Sequence, residues 1–376
     1  MFKKIKVALV FGTRPEAIKM CPLVNELKSR DNFDVTTIVT AQHREMLDQV
    51  LELFNVTPDC DLNIMKPNQN LWSLTSDILL QTKEIFEQEQ FDIVLVHGDT
   101  TTAFVTSLSA FYARVPIGHV EAGLRTYDRN YPFPEEINRV ICDSLTSMYF
   151  APTSLAVANL KKYPEVNPEN IYKTGNTVID ALLYTVSNSS KKLDFLSNHE
   201  NKKIILMTAH RRENFGQPLE DICKAVLEIV SSREDVEFIY PVHPNPNVRK
   251  TVNSYLANAP GVKLIDPLEY EDFSLLMKKS YLILTDSGGI QEEAPALGVP
   301  VLVLRNETER PEAINAGCVK LVGTKKDNIV KNILELLDCE DSYYKMAKSA
   351  NPYGDGTACV QIADAIEEQF MPKFKR

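Results

Sequence analysis

The chain has little of what would mark it for a membrane, a nucleic acid or an oxidising compartment. No apolar run in its 376 residues approaches the roughly 20 needed to cross a bilayer. The first apolar stretch, 5–11, follows lysines, but it is too short for a secretory signal and leads straight into a polar motif. Basic residues are in the minority: 41 Lys and Arg face 51 Asp and Glu, for a net charge of −10. That balance excludes the broad basic footprint of a general nucleic-acid binder. It leaves room for a small anion held by a few cations and a helix N-terminus. The seven cysteines, at 21, 60, 142, 223, 318, 339 and 359, form no close pair. Neither a disulfide framework nor a zinc site is suggested, and a cytoplasmic compartment is expected. Neither G-x-G-x-x-G nor a P-loop occurs, which argues against NAD, FAD or ATP held in the usual way.

What is present is one unit repeated: a short apolar run, a polar or glycine turn, then a longer helical stretch. The strand-like runs are 6–11, 35–40, 92–97, 117–121 and 148–151, then 203–208, 236–242, 262–265, 281–285, 300–304 and 319–322. They are rich in Val, Ile and Leu without strict alternation, as suits strands covered on both faces of a parallel sheet. Helical stretches such as 15–29 and 102–113 supply the crossovers. The pattern predicts an α/β chain of two Rossmann-like doubly wound domains, 1–180 and 200–356. The join falls in 176–202, where 187–192 and 198–203 are polar. A last helix is expected at 357–370.

Ligands collect at the carboxyl ends of strands in such sheets, and the residues there are polar in this chain. After the first strand, Gly12 permits a tight turn, Pro15 fits the first helical position, and Arg14 and Lys19 add charge suited to a phosphate. Asp99, in His97–Thr102, either caps the next helix or lines the rim. Glu121 ends the following strand beside it. Two carboxylates converging on one place is a pattern for proton transfer. Glu135 and Glu136 open a later helix, where compensation of the helix dipole is the alternative reading. In the second half, His210 with Arg211 and Arg212 suits an anion, while His243 reads rather as a hydrogen-bonded structural histidine. Asp286-Ser287-Gly288-Gly289-Ile290-Gln291-Glu292-Glu293 brings backbone amides to a phosphate, and an acid at 292 or 293 to a ribose diol.

Taken in order, the strings 12–20 (Gly-Thr-Arg-Pro-Glu-Ala-Ile-Lys-Met), 40–50, 97–102, 118–126, 210–214 and 286–295 resemble the bacterial non-hydrolysing UDP-N-acetylglucosamine 2-epimerases. The likeness runs nearly end to end, through Asn-Pro-Tyr-Gly-Asp-Gly at 351–356. Cys21, where the family usually has Ala, is one departure. The resemblance implies the glycosyltransferase-B arrangement of two domains facing across a cleft, with the final helix packing back on the first domain, usually as a homodimer. It implies interconversion of UDP-GlcNAc and UDP-ManNAc without NAD or metal, through elimination of UDP to 2-acetamidoglucal and re-addition. The product would supply ManNAc for cell-surface polysaccharide. Carried over by motif, Asp99, Glu121 and Glu135 resemble the acid/base set. His210, Arg14 and Ser287 resemble the grip on the departing diphosphate, Lys19 a further active-site cation, and Ser287, Gly288, Gly289 and Glu293 nucleotide contacts. Gln42, His43 and His243 match positions that hold a second UDP-GlcNAc as activator in part of the family, although an Arg used by some relatives is replaced in the 66–69 stretch. A hydrolysing 2-epimerase and a glycosyltransferase of the same fold are the competing readings.

Overall fold

The computed structural model describes residues 4–41, 44–66, 69–196 and 202–371. Gln42 and His43 lie outside the described residues, as do Pro67 and Asn68 and positions 198–201 of the second polar stretch. The chain forms two compact units, one of Met1–Ala181 with Tyr353–Arg376, the other of Leu182–Pro352.

In the first unit the strands are β1 (Ile5–Phe11), β2 (Phe33–Val39), β3 (Cys60–Asp61), β4 (Ile93–His97), β5 (Ile117–Val120), β6 (Met148–Ala151) and β7 (Ile171–Lys173). They lie in the order β3-β2-β1-β4-β5-β6-β7, all pairs parallel. In β1 only Lys6 reaches solvent, because helices cover both faces of the sheet. Each Val, Leu or Phe so buried contributes on the order of 1.5–3 kcal/mol. The chain moves outward from β1 in one direction and resumes at β4 on its other side, which makes β1/β4 the topological switch point.

The second unit repeats the scheme with β8 (Lys203–Thr208), β9 (Val236–Pro241), β10 (Val262–Ile265), β11 (Leu282–Thr285), β12 (Val301–Val303) and β13 (Val319–Leu321), ordered β10-β9-β8-β11-β12-β13. Its core is built from such residues as Leu206, Phe238, Tyr240, Leu284 and Ile333, all essentially inaccessible. Its switch point is β8/β11.

The observed strands follow the sequence reading to within two residues, with two additions. The two-residue β3 and the half-buried β7 are too short or too open to leave a periodic signal. Thr40, Glu121 and Leu304, read as strand residues, stand one position beyond the strands, where the backbone turns.

The chain re-enters the first unit at Tyr353, whose carbonyl accepts from the Asn176 amide at 2.7 Å. The helix Ala358–Phe370 then packs on the first helix, Arg14–Lys28. Its N-terminus is capped from afar: Asp180 accepts from the Ala358 and Cys359 amides at 3.3 and 2.9 Å. Arg30 binds Asp364 and Glu367 at 2.6 and 2.9 Å. Among the described residues no helix is long and apolar enough to cross a membrane.

Candidate active site

The turn after β1 is locked from within. Thr13 caps the helix Arg14–Lys28, and the buried Glu16 turns back so that one carboxylate oxygen accepts from the Gly12 and Thr13 amides at 3.0 and 2.7 Å. Its other oxygen accepts the Thr100 hydroxyl at 2.6 Å, tying the β1 turn to the loop after β4. Burial pushes the Glu16 carboxyl up in spite of these bonds. Gly12 is required here, since a Cβ would come within 1.8 Å of the Thr40 hydroxyl. Arg14 is half-buried beside this turn, and its guanidinium has no hydrogen-bond or ion-pair partner among the described residues.

The register of β4 on β5 sets His97 opposite Val120, so Asp99 and Glu121 leave the sheet side by side. Asp99 does not cap the next helix. Thr100 does, accepting from the Ala103 amide at 3.0 Å. The Asp99 carboxylate instead accepts from Arg139 at 2.6 Å, and its carbonyl accepts from the Asn138 side chain at 3.0 Å. The same Arg139 nitrogen lies 3.5 Å from Glu121 Oε1, so one buried guanidinium joins both acids. It also donates to the Glu121 carbonyl.

Glu121 is the centre of this cluster. It is 8% exposed and adopts φ +64°, a conformation uncommon outside glycine and characteristic of functional positions. Its Oε2 is paired with the Lys19 ammonium, accepts from Asn176 at 3.1 Å and lies 3.7 Å from His97 Nε2. Burial opposes charge on this carboxyl, but the Lys19 and Arg139 cations outweigh it and hold the group well below the ordinary carboxylate range. Lys19, read from sequence as an anion ligand, is thus committed to Glu121. His97 is pushed down to about 3, chiefly by burial, and is neutral. Beneath it, His119 touches Asp143 and the Gly98 carbonyl, each at 2.7 Å.

The neighbouring glutamates part company. Glu136 is buried and binds Arg125 at 2.6 and 2.8 Å and the amides of Thr126 and Tyr127, each at 3.0 Å, which fixes the loop. Glu135 is half-buried and its carboxylate has no hydrogen bond among the described residues; it stands one turn before Asn138 and Arg139 on the same helix face.

In the second unit, Thr208 pairs with Thr285 across β8 and β11, which sets His210 beside Asp286. Asp286 is inaccessible. One oxygen accepts from the His210 and Arg211 amides, both at 2.8 Å, and from the Asn214 side chain at 3.0 Å. The other lies 3.2 Å from His210 Nδ1. Burial opposes its charge too, but His210 and the amides hold the carboxyl below the usual range. His210 Nε2 makes no hydrogen bond among the described residues. His243 stacks on it at 5.4 Å, and burial together with His210 lowers its pKa.

Ser287 opens the helix Gly288–Glu293 without a side-chain cap bond, and its hydroxyl has no partner among the described residues. The Arg211 guanidinium stands 3.8 Å from where a Cβ of Gly288 would be, and Glu293 Oε1 3.5 Å from one on Gly289. Glu292 is turned away, ion-paired with Arg310. Of the two acids left open by the sequence, Glu293 therefore faces the glycines. Asp286 and Arg139 were not singled out by the sequence as site residues. Both are recognisable only from their partners, whereas Arg211 is the cation that the sequence already set beside His210.

The family model for UDP-N-acetylglucosamine 2-epimerase matches residues 25–367. The chain is 52% identical over 371 residues to the UDP-N-acetylglucosamine 2-epimerase of Escherichia coli K12, covering 96% of this chain and 98% of that one. It is also 52% identical over 364 residues to the Bacillus subtilis enzyme of the same name, covering 97% and 95%. The crystal structure of UDP-GlcNAc 2-epimerase from Neisseria meningitidis bound to UDP-GlcNAc superimposes with a TM-score of 0.83 at 48% identity, over 96% of this chain and 99% of that one. A glycosyltransferase of kitacinnamycin, 11% identical with a TM-score of 0.64, shares the fold alone, consistent with a glycosyltransferase-B-like architecture. With the fold and the family model in agreement over nearly its whole length, the chain belongs to the UDP-N-acetylglucosamine 2-epimerase family of isomerases.

Proposed function

We propose that the protein interconverts UDP-GlcNAc and UDP-ManNAc at C2 with the sugar returned to UDP rather than released. The observation that carries this reading is Glu121, a buried carboxylate kept ionised by Lys19 and joined to Asp99 through Arg139. In the elimination, a carboxylate takes the C2 proton and the C2–H electron pair forms the C1=C2 bond of 2-acetamidoglucal. The C1–O bond breaks with its pair leaving on UDP. Re-addition follows protonation of the opposite face, so at least two acid/base groups are needed, and Asp99, Glu121 and Glu135 supply them. His210, oriented by Asp286, grips the departing diphosphate with Arg14 and Ser287. A well-placed donor of this kind contributes about 3–4 kcal/mol. Gly288, Gly289 and Glu293 meet the nucleotide. The UDP-GlcNAc bound to the Neisseria relative supports the choice of substrate.

A homodimer and a second UDP-GlcNAc as activator belong to the same reading. The activator rests on Gln42, His43 and His243, of which His243 lies against His210. The test is incubation with UDP-GlcNAc in deuterated water, read by mass spectrometry and NMR. Deuterium at C2 with UDP still attached is expected. No exchange would overturn the reading, and free ManNAc would assign the hydrolysing reaction instead.

A further inference from the structure

One buried group beside the acid cluster has no structural task. His97 ends β4, is 4% exposed, and its Nε2 has no hydrogen-bond partner although it is shut off from solvent. Nearly every buried polar nitrogen in a folded protein is paired, because leaving one unpaired costs stability. It faces Glu121 Oε2 at 3.7 Å, less than an ångström beyond hydrogen-bond reach. The other ionisable groups around the ring are Lys19, Arg139 and His119. The strand register leaves little freedom on the His97 side, since it stands opposite Val120, the residue before Glu121.

The pairing suits one protonation state and not the other. While Glu121 is a carboxylate, Lys19 and Asn176 serve Oε2, and a neutral imidazole adds little. Once the carboxyl carries a proton, it has an O–H to donate, and the cations beside it accept nothing. His97, with its own hydrogen on Nδ1, offers the lone pair that this O–H needs.

We infer that His97 is a positioning residue for the reaction, accepting the hydrogen bond of Glu121 in the interval when Glu121 holds the C2 proton. The inference rests on the epimerase reading above. The proton balance is closed: the C2–H bond breaks, the Glu121 O–H bond forms, and the proton stays on Glu121, shared with His97 Nε2, until it returns to carbon. No net charge reaches the imidazole. Lys19 and Arg139 hold the resting carboxylate ionised but cannot accept from the protonated form, and His97 supplies that acceptor.

The test compares wild type, His97→Phe, which keeps a ring of similar size without nitrogen, and His97→Gln, which keeps a hydrogen-bonding end. C2 deuterium exchange in UDP-GlcNAc is measured alongside calorimetric binding of UDP and the melting temperature. We expect exchange to fall about tenfold to a hundredfold in His97→Phe, with UDP affinity unchanged and most of the rate recovered in His97→Gln. Exchange by His97→Phe at the wild-type rate would overturn the assignment. So would an equal fall in both variants, because packing alone would then explain it. Wild type that fails to exchange would overturn the epimerase reading itself, a separate and distinguishable result.

Discussion

The two units solve the same local problem with opposite residues. In each, the turn after the first strand must satisfy two consecutive backbone amides, and a buried carboxylate does so. In the first unit that carboxylate is Glu16, from the helix the turn begins, at 3.0 and 2.7 Å from the Gly12 and Thr13 amides. In the second it is Asp286, from the neighbouring strand end across the switch point, at 2.8 Å from each of the His210 and Arg211 amides. The difference decides where chemistry can occur. Because Glu16 holds its own turn, the acid after β4, Asp99, is free for Arg139 and the rim. Because Asp286 is spent on the turn after β8, the second unit offers amides, a histidine and Arg211 there instead. One unit presents carboxylates beside a single cation uncommitted among the described residues, Arg14; the other presents donors suited to an anion.

The largest expected effect separates these roles. Glu121→Gln should lower C2 exchange by about 10²–10⁴-fold while UDP binding, measured by calorimetry, stays near wild type. A parallel loss of UDP affinity would break the division between the units. Asp286→Asn should do the reverse. It sets an amide hydrogen against His210 Nδ1 or one of the three donors on Oδ2, costing about 1–3 kcal/mol in denaturant unfolding and weakening UDP binding by about tenfold. Unchanged stability would remove Asp286 from its anchoring role.

The smallest effect is the most diagnostic. Glu16→Gln should cost under about 1 kcal/mol, because burial already disfavours the charged form and an amide oxygen can still accept from both backbone N–H groups. The pH dependence separates the three acids further. Glu121 and Asp286 titrate below their unfolded values, so their contribution is complete above about pH 4 and is lost as pH falls toward the folded values. Glu16 titrates above its unfolded value, so its charged form weighs against folding as pH rises past about 4. Melts from pH 6 to pH 3 should therefore show a shallower acid slope in Glu121→Gln than in wild type, and no such flattening in Glu16→Gln. Identical slopes in all three proteins would contradict the assignment of these shifts.

Much of the site was legible in sequence because strand ends announce themselves. A Val-rich run followed by Gly-Thr-Arg or Asp-Ser-Gly-Gly locates a rim residue without any knowledge of its neighbours. What stayed hidden depends on sheet order. Lys19 meets Glu121 across 102 positions and Asn176 meets it across 55, and only the sheet order β1-β4-β5-β6-β7, with Glu121 at the end of β5, brings them together. Glu135 and Glu136 carry the same side chain and differ only in which face of the helix turns toward Arg125. Asp99 taken alone reads as a helix cap, and the cap is Thr100. Charge and local spacing name the candidates, and long-range packing decides which are already spoken for.

The return of the chain at Tyr353 bears on how the protein is made. Asp180 waits for the amides of Ala358 and Cys359, and the Asn176 amide waits for the Tyr353 carbonyl. All of Leu182–Pro352 is synthesised in between. On a ribosome, the second unit can therefore close before the first has its last helix, although every strand of the first unit has already been made. The same Asn176 also donates to Glu121, so the acid cluster gains its final anchorage only when the end of the chain comes home.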